Sequence, residues 1–191
     1  MLIRLYMFHP STAALGPGKR FAIWTQGCNR RCPGCISPES RDLEGGEEWD
    51  TDELAEIITN TAGIEGITIS GGEPFLQAAA LCNIIELVRN NRNLGVIIYT
   101  GNNYPELRES DDIYIKKLLG YTDLLIDGTY QEEYNDGKSL RGSSNQQVIP
   151  LTERYCKDLG LYGQDGRAVE IIPRSDDNAR MIGIPPKGFV T

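Results

Sequence analysis

The sequence predicts an α/β fold in which parallel strands alternate with helices. Short apolar runs bounded by glycine recur along the chain, and segments with helical spacing of apolar residues separate them. About five or six strand–helix units can be counted, which is too few for an eight-unit barrel of about 250 residues. In this architecture we expect the functional loops at the carboxyl ends of the strands.

The predicted elements follow one another along the chain. The segment 1–10 is predicted to be a strand and not a signal peptide, because no basic region precedes a long apolar core. Further strands are predicted over 21–25, 66–70, 96–100, 123–127 and 168–172. Helices are predicted from Asp50, where Glu53 completes a capping box, and over 76–90, 104–119 and 151–159. Residues 44–48 are predicted to form a flexible turn.

Length and composition favour one globular domain. The 191 residues are predicted to form a single domain over 1–191, with its core over about 15–172 and an irregular tail over 173–191. The net charge of -8 argues against nucleic acid as the main partner. No apolar stretch approaches the roughly 20 residues that cross a membrane. Five cysteines without a secretory signal indicate the reducing cytoplasm, where clustered thiols more often bind metal than form disulfides.

Three cysteines stand close together after the strand predicted over 21–25. Cys28, Cys32 and Cys35 form a Cys-x-x-x-Cys-x-x-Cys run without an adjacent fourth ligand. A 4Fe-4S cluster normally takes four cysteines, so three would leave one iron with an open coordination position. An open position is typical of metal centres that perform chemistry. Taken alone, the run also allows structural zinc or a plain electron-transfer cluster, completed by Cys82 or Cys156 if the chain folds back.

A second motif lies one strand–helix unit further along the chain. Ser70-Gly-Gly-Glu-Pro74 follows a predicted strand and precedes a predicted helix. Its paired glycines would let a small ligand approach the backbone, and the Glu73 carboxylate suits an ammonium group. Alone, the motif is weak, since a turn before a helix-starting proline explains it equally well. Together with the cysteine run, it is highly specific.

With both motifs, the chain resembles the radical S-adenosylmethionine (SAM) superfamily. The resemblance implies a 4Fe-4S cluster held by Cys28, Cys32 and Cys35, whose open iron is chelated by the amino and carboxylate groups of SAM. It also implies that the methionine amine is held by Ser70, Gly71, Gly72 and Glu73. The residue after the third cysteine is usually aromatic in this superfamily. Here it is Ile36, so we expect apolar packing against the adenine instead of stacking.

A narrower resemblance covers roughly residues 15–147. The segments 16–20, 99–101, 125–128 and above all 140–146 are similar to those of the activating enzymes of anaerobic ribonucleotide reductase, which activate a glycyl radical enzyme. This likeness implies a partial (β/α)6 TIM-like barrel, with Thr100 near the SAM pocket and Asp127 and Arg141 facing substrate at its open end. Two structural alternatives stay open, in which Asp127 caps a strand–loop junction and Arg141 pairs with it.

The leading hypothesis from the sequence is therefore a radical SAM oxidoreductase that activates a glycyl radical enzyme. It would receive single electrons from a donor such as a flavodoxin or ferredoxin. A partial barrel with little chain left to cover it would need a large partner to exclude water during radical chemistry. The alternatives are a small radical SAM enzyme that modifies a peptide or natural product, and a non-catalytic zinc or iron–sulfur binding module. The glycine pair argues against the binding module, which has no need of a ligand-cradling loop.

Overall fold

The computed structural model describes residues 1–161, 164, 166–173 and 179–186. These residues form a mixed α/β fold. Its strands are β1 (Leu2–Thr12), β2 (Arg20–Thr25), β3 (Glu47–Asp50), β4 (Gly66–Gly71), β5 (Gly95–Tyr99), β6 (Leu124–Asp127), β7 (Gln147–Pro150), β8 (Val169–Pro173) and β9 (Ala179–Gly183). Its α-helices are α1 (Thr51–Asn60), α2 (Ala78–Arg89), α3 (Tyr104–Glu109) and α4 (Ile113–Tyr121).

The central sheet is parallel in its middle and antiparallel at both edges. Seven strands pair in the order β3-β1-β2-β4-β5-β6-β7. The strands β2, β4, β5 and β6 run parallel, whereas β1 and β3 on one side and β7 on the other are antiparallel to their neighbours. Parallel neighbours need a crossover connection, and α1, α2 and the α3–α4 pair lie in the three crossovers. The carboxyl ends of the four parallel strands therefore meet at one edge of the sheet.

The four parallel strands lie where the sequence predicted strands. The predicted number of strand–helix units, five or six, was too high. Within the described ranges the sheet is open, with edges at β3 and β7, and it does not close into a barrel. The first predicted strand pairs antiparallel with β2, and the strand predicted over 168–172 lies in a separate hairpin with β9. That hairpin also corrects the prediction of an irregular tail at 179–183, while 174–178 and 187–191 lie outside the described residues.

Two further local predictions were wrong. Residues 47–48 of the predicted flexible turn belong to β3, which pairs with β1. The helix predicted over 104–119 is two helices, because Asp112 accepts a hydrogen bond from the Tyr114 N–H (2.7 Å) and begins a new helix. At α1, Asp50 caps the helix as predicted, and its side chain accepts from the Asp52 N–H at 2.8 Å.

Apolar residues alternate between the two faces of the sheet, as the side-chain period of a strand requires. One face packs against the helices and contains the main core, with side chains such as Ile23, Ile69 and Val88 almost fully buried. On the other face, Ala22 and Trp24 pack against the β8–β9 hairpin through Ile172 and Ile182. The hairpin thus covers part of the sheet face opposite the helices.

Arg167 fastens the hairpin segment to the rest of the fold. Its guanidinium donates to four backbone carbonyls, those of Lys138, Pro185, Arg141 and Gly142, at 2.7–3.0 Å. Burial lowers the pKa of this guanidinium from its usual value. This set of bonds joins loop 138–142 to the open end of the hairpin, where the start of β8 and the end of β9 lie side by side. No helix among the described residues is long and apolar enough to span a bilayer.

Arg20 is fully buried on the hairpin-covered face and is held entirely by neutral groups. Its N–H groups donate to five oxygens at 2.5–3.1 Å: Thr68 Oγ1, Tyr155 Oη and the carbonyls of Pro17, Ile67 and Gly95. The guanidinium also lies 5.4 Å from the centre of the Tyr155 ring, within range of a cation–π contact. No carboxylate of the described part of the chain pairs with it. Arg20 therefore ties the amino ends of β2, β4 and β5 to the segments on either side.

Replacement of Arg20 by methionine is expected to lower the free energy of unfolding by about 3 kcal/mol or more, because buried acceptors lose their donors together. Urea unfolding measures the change. Arg108→Met is the matched control, since that side chain is largely exposed and its ion pair with Glu109 spans 3.8 Å. The control should change stability by less than about 0.5 kcal/mol. Equal stability of the two variants would contradict the structural role of Arg20.

Candidate iron–sulfur centre and cofactor pocket

The three cysteines lie on a loop that leaves the carboxyl end of β2. The loop is fixed by its backbone, since the Gly27 N–H donates to the Ser40 carbonyl (2.8 Å) and the Cys28 N–H to the Arg41 carbonyl (3.1 Å). Within it, the Cys35 N–H donates to the Cys32 carbonyl (3.3 Å). The cysteines are thus presented at the edge where we expected the functional loops.

All three thiols are free and partly exposed. The Cys28 Sγ accepts a hydrogen bond from the backbone N–H of Arg30 at 3.4 Å. Burial raises the pKa of the Cys28 thiol, and that N–H opposes the rise because it favours the thiolate. No three Cys, His, Asp or Glu side chains of the described residues converge on a single metal ion. A 4Fe-4S cluster does not require such convergence, because each thiolate binds a different iron.

The other two cysteines contact parts of the fold outside this loop. Cys82 is buried in α2, where its Sγ contacts the Tyr114 carbonyl, and burial raises the pKa of its thiol to about 11. Cys156 is exposed and follows Tyr155, whose hydroxyl reaches Arg20 at the amino end of β2. The fold therefore gives neither cysteine a place beside the cluster loop, and the possibility of a fourth cysteine ligand by folding back is removed.

The Ser70–Pro74 loop is joined to the cysteine loop through the backbone. The Gly72 N–H donates to the Thr25 carbonyl and the Glu73 N–H to the Gly27 carbonyl, each at 2.8 Å. A Cβ on Gly72 would lie 2.2 Å from the Gly27 oxygen, and one on Gly71 would lie 2.5 Å from the Thr25 backbone. The space left by these glycines is filled by protein backbone and not by open pocket. Their immediate role is thus to let the two loops touch. A role of Ser70, Gly71 and Gly72 in holding the methionine amine stays a prediction.

Glu73 is a buried carboxyl group with three protein donors. Its Oε1 accepts from Thr100 Oγ1 (2.8 Å) and from the Phe75 N–H (3.1 Å), and its Oε2 accepts from the Gly101 N–H (2.9 Å). Burial raises the pKa of Glu73, while these donors and the nearby Arg30 cation act in the opposite direction. A carboxylate has about four acceptor positions, so one is left for an incoming ammonium group.

Ser70 lies in β4, and Thr100 directly follows the neighbouring strand β5. Thr100 is buried at the carboxyl end of β5, and besides Glu73 its hydroxyl contacts the backbone N–H and side-chain amide of Asn102. The Ser70 carbonyl accepts from Thr25 Oγ1 at 3.1 Å. Ile36, the residue after the third cysteine, is 48% exposed. Thr100 and Glu73 are therefore brought together, and Ile36 remains available on the surface.

Asp127 and Arg141 do not pair with each other. Asp127 is buried at the end of β6, where its oxygens accept from the backbone N–H of Tyr104 (2.7 Å) and of Gln147 (3.2 Å). This is the strand–loop junction that the sequence left open as an alternative. Arg141 forms its ion pair with Asp136. The alternative in which Arg141 pairs with Asp127 is therefore wrong. A role for either residue in facing substrate stays a prediction.

Arg30 is the residue at this site that sequence reasoning missed. Its Nη1 donates to Thr129 Oγ1 (2.9 Å) and its Nη2 to Asn102 Oδ1 (2.7 Å). Its stem lies across Gly101, where a Cβ would approach the Arg30 Cδ to 2.4 Å. Arg30 follows β2, Gly101 follows β5 and Thr129 follows β6, so only the assembled sheet brings these residues together. The one sequence signal was a cationic residue inside the cysteine run.

Comparison with known proteins agrees with the chemistry of this loop. Residues 14–149 match the family described as a 4Fe-4S single cluster domain. The chain belongs to that family. The match contains all three cysteines, the Ser70–Pro74 loop and the four parallel strands, and it ends at the last residue but one of β7.

Several curated relatives share one printed name, anaerobic ribonucleoside-triphosphate reductase-activating protein. The protein from Vibrio cholerae serotype O1 is 28% identical over 156 residues, which cover 77% of this chain and 97% of the relative. The one from Enterobacteria phage T4 is 24% identical, covering 78% and 95% respectively. The one from Escherichia coli K12 is 28% identical, covering 76% and 97%. These relatives are matched over nearly their whole length, whereas part of this chain lies outside the matches.

The residues present fit a 4Fe-4S cluster with three protein ligands. Three free thiols share one backbone-fixed loop, an N–H already donates to one sulfur, and hydrogen bonds to sulfur are among the features that tune such clusters. A buried N–H, that of Arg30 Nε, has no acceptor among the described residues. Thiolate ligands together with an unsatisfied cation suit a site that takes both a cluster and an anionic group.

Proposed function

We propose that this chain is a radical SAM enzyme that activates a glycyl radical enzyme such as anaerobic ribonucleotide reductase. The observation that carries the proposal is the direct backbone bonding between the cysteine loop and the Gly71–Glu73 loop at the carboxyl edge of the parallel strands. A centre with an open iron and an ammonium-binding carboxyl group would then lie side by side. The names of the relatives support the choice of target.

Each part of the site has a task in this proposal. Cys28, Cys32 and Cys35 hold the cluster, and Glu73, oriented by Thr100 and Gly101, accepts a hydrogen bond from the SAM amino group. When bound, the cluster would supply one electron that breaks the sulfonium C5'–S bond, and the resulting 5'-deoxyadenosyl radical would take a hydrogen atom from a glycine. The electron comes from a donor such as a flavodoxin or ferredoxin. We propose the cytoplasm as its location, because a reducing compartment keeps clustered thiols free to bind metal.

The radical step needs a site without water, and the chain supplies part of the enclosure. The β8–β9 hairpin covers Trp24 on the face opposite the helices, whereas the cysteine loop itself is partly exposed. We propose that the partner protein covers the exposed side when its glycine enters. A partial radical SAM barrel is the fold that this proposal requires, with the open parallel sheet as its wall.

Anaerobic reconstitution followed by incubation with SAM, reductant and the candidate reductase tests the proposal. We expect formation of 5'-deoxyadenosine and a protein-based radical on the reductase. The same reductase with its radical glycine replaced by alanine should give no such radical. Failure of the iron-loaded protein to bind or cleave SAM would overturn the radical SAM assignment and favour a non-catalytic cluster module.

A second candidate function is the modification of a peptide or natural product. It is favoured by the residues after 149, which lie outside the family match and include the hairpin that packs on Trp24. SAM cleavage without a radical on the reductase, but with turnover of a short peptide encoded nearby, would select this function over the first.

A further inference from the structure

Arg30 is a cation held in place without an anionic partner. Its two hydrogen bonds go to neutral oxygens, on Thr129 and Asn102. No carboxylate of the described residues lies within ion-pair distance of its guanidinium, although Glu73 is close enough for the cation to influence its pKa. A guanidinium has five N–H donors, so three of those on Arg30 have no acceptor among the described residues. One of these three, on Nε, is fully buried.

The guanidinium is also fixed in direction. Thr129 Oγ1 is itself anchored by donating to the Gly101 carbonyl (3.0 Å), and the Asn102 side-chain amide donates to Thr100 Oγ1 (3.1 Å). The absence of a side chain on Gly101 lets the arginine stem lie against the backbone. A cation whose orientation is set by two neighbours loses less entropy when it binds a ligand. The arrangement is therefore typical of a prepared anion site and not of a solvated surface charge.

Glu73 and Arg30 lie against the same glycine. The Gly101 N–H donates to Glu73 Oε2 at 2.9 Å, and a Cβ placed on Gly101 would lie 2.7 Å from Arg30 Nε and 3.5 Å from that same Glu73 oxygen. If Arg30 and Glu73 served only to neutralise each other, their guanidinium and carboxylate would be expected to bond directly, because an unpaired buried charge is costly. Here they stay apart, so a ligand with both charges can contact the two at once.

We propose that Arg30 binds the carboxylate of the methionine portion of SAM while Glu73 accepts a hydrogen bond from its amino group. This inference rests on the proposed function and adds to it a specific receptor for both ends of the amino acid. Planar, bidentate recognition of a carboxylate is what a guanidinium provides and an ammonium group does not. The pocket would therefore distinguish α-amino acid derivatives of adenosine from those that lack the carboxylate.

Calorimetric titration of the anaerobically reconstituted holoenzyme tests this assignment with two probes, SAM and decarboxylated SAM. In Arg30→Gln the dissociation constant for SAM is expected to rise roughly tenfold to hundredfold, the range for lost hydrogen bonds to a charged group. The constant for decarboxylated SAM should change by less than about twofold, because that probe has nothing for Arg30 to hold. The electron paramagnetic resonance signal of the reduced cluster, which responds to ligation of its open iron, gives a second readout.

Two further variants keep the result interpretable. Arg31→Gln is the matched control, since Arg31 is exposed on the same loop and should bind both probes like the unchanged protein. Arg30→Lys keeps the charge but not the fork, so it should lose part of the SAM affinity even if Arg30→Gln loads iron poorly.

Three results would overturn the assignment, and they are distinguishable from one another. Unchanged SAM affinity in iron-loaded Arg30→Gln would remove Arg30 and leave the proposed function standing. Equal losses for SAM and decarboxylated SAM would show that Arg30 does not act on the carboxylate. Failure of the unchanged holoenzyme to bind SAM would remove the proposed function and this inference together.

Discussion

Replacement of Cys32 by alanine is expected to abolish the iron–sulfur cluster. The loop offers three thiols, and the fold keeps Cys82 and Cys156 away from it. A variant with two thiolates has no substitute ligand, so its affinity for the cluster should fall by more than the roughly 10–100-fold that loss of a residue hydrogen-bonded to a metal ligand costs. Iron content and visible absorption after anaerobic reconstitution measure the loss.

Cys156→Ala is the control for this experiment. Cys156 is exposed, and in the described part of the chain its Sγ hydrogen-bonds to the Thr152 carbonyl, at 3.5 Å. We expect this variant to load iron like the unchanged protein and to keep SAM cleavage. Equal iron loss in the Cys156 and Cys32 variants would instead make Cys156 a ligand, and would contradict both the three-thiol centre and its placement in the fold.

The parallel strands could be predicted because their sequences carry a strong local signal. A strand buried on both faces must be apolar throughout, and segments such as Ile67–Ile69 are β-branched and bounded by glycine. The edge strands lack that signal. In β3, Glu47 and Glu48 are exposed, so the strand is defined by pairing with β1 and not by its own composition.

The site was predictable to the extent that topology alone determines it. Parallel strands end at one edge, so the cysteine run and the Gly71–Glu73 loop had to lie near each other. What the glycines and Arg30 contact depends on the packing of loops from different strands. Asp127 shows the same limit, since its two backbone donors come from Tyr104 and Gln147, distant in sequence.

Gly72→Ala is expected to separate the two loops on which the proposed centre depends. The added Cβ would lie 2.2 Å from the Gly27 oxygen and 2.8 Å from the Ser40 oxygen, and both are backbone atoms that a side-chain rotation cannot move. Relief of the clash requires a shift of the cysteine loop, which would break the Glu73 N–H bond to the Gly27 carbonyl. We expect the free energy of unfolding to fall by at least ~2 kcal/mol, at the upper end of the cost of overpacking.

Gly120→Ala separates this clash from the general effect of losing a glycine. Gly120 lies in α4, and a Cβ there would meet no atom within 4 Å. Alanine at an open helical position should stabilise the fold by about 0.4–1 kcal/mol, because it restricts the unfolded chain. We therefore expect Gly72→Ala to lower both the free energy of unfolding and the iron content. Gly120→Ala should raise the free energy of unfolding and leave the iron content unchanged. If Gly72→Ala loads iron and unfolds like Gly120→Ala, the close contact between the loops is not what holds the cysteines in place.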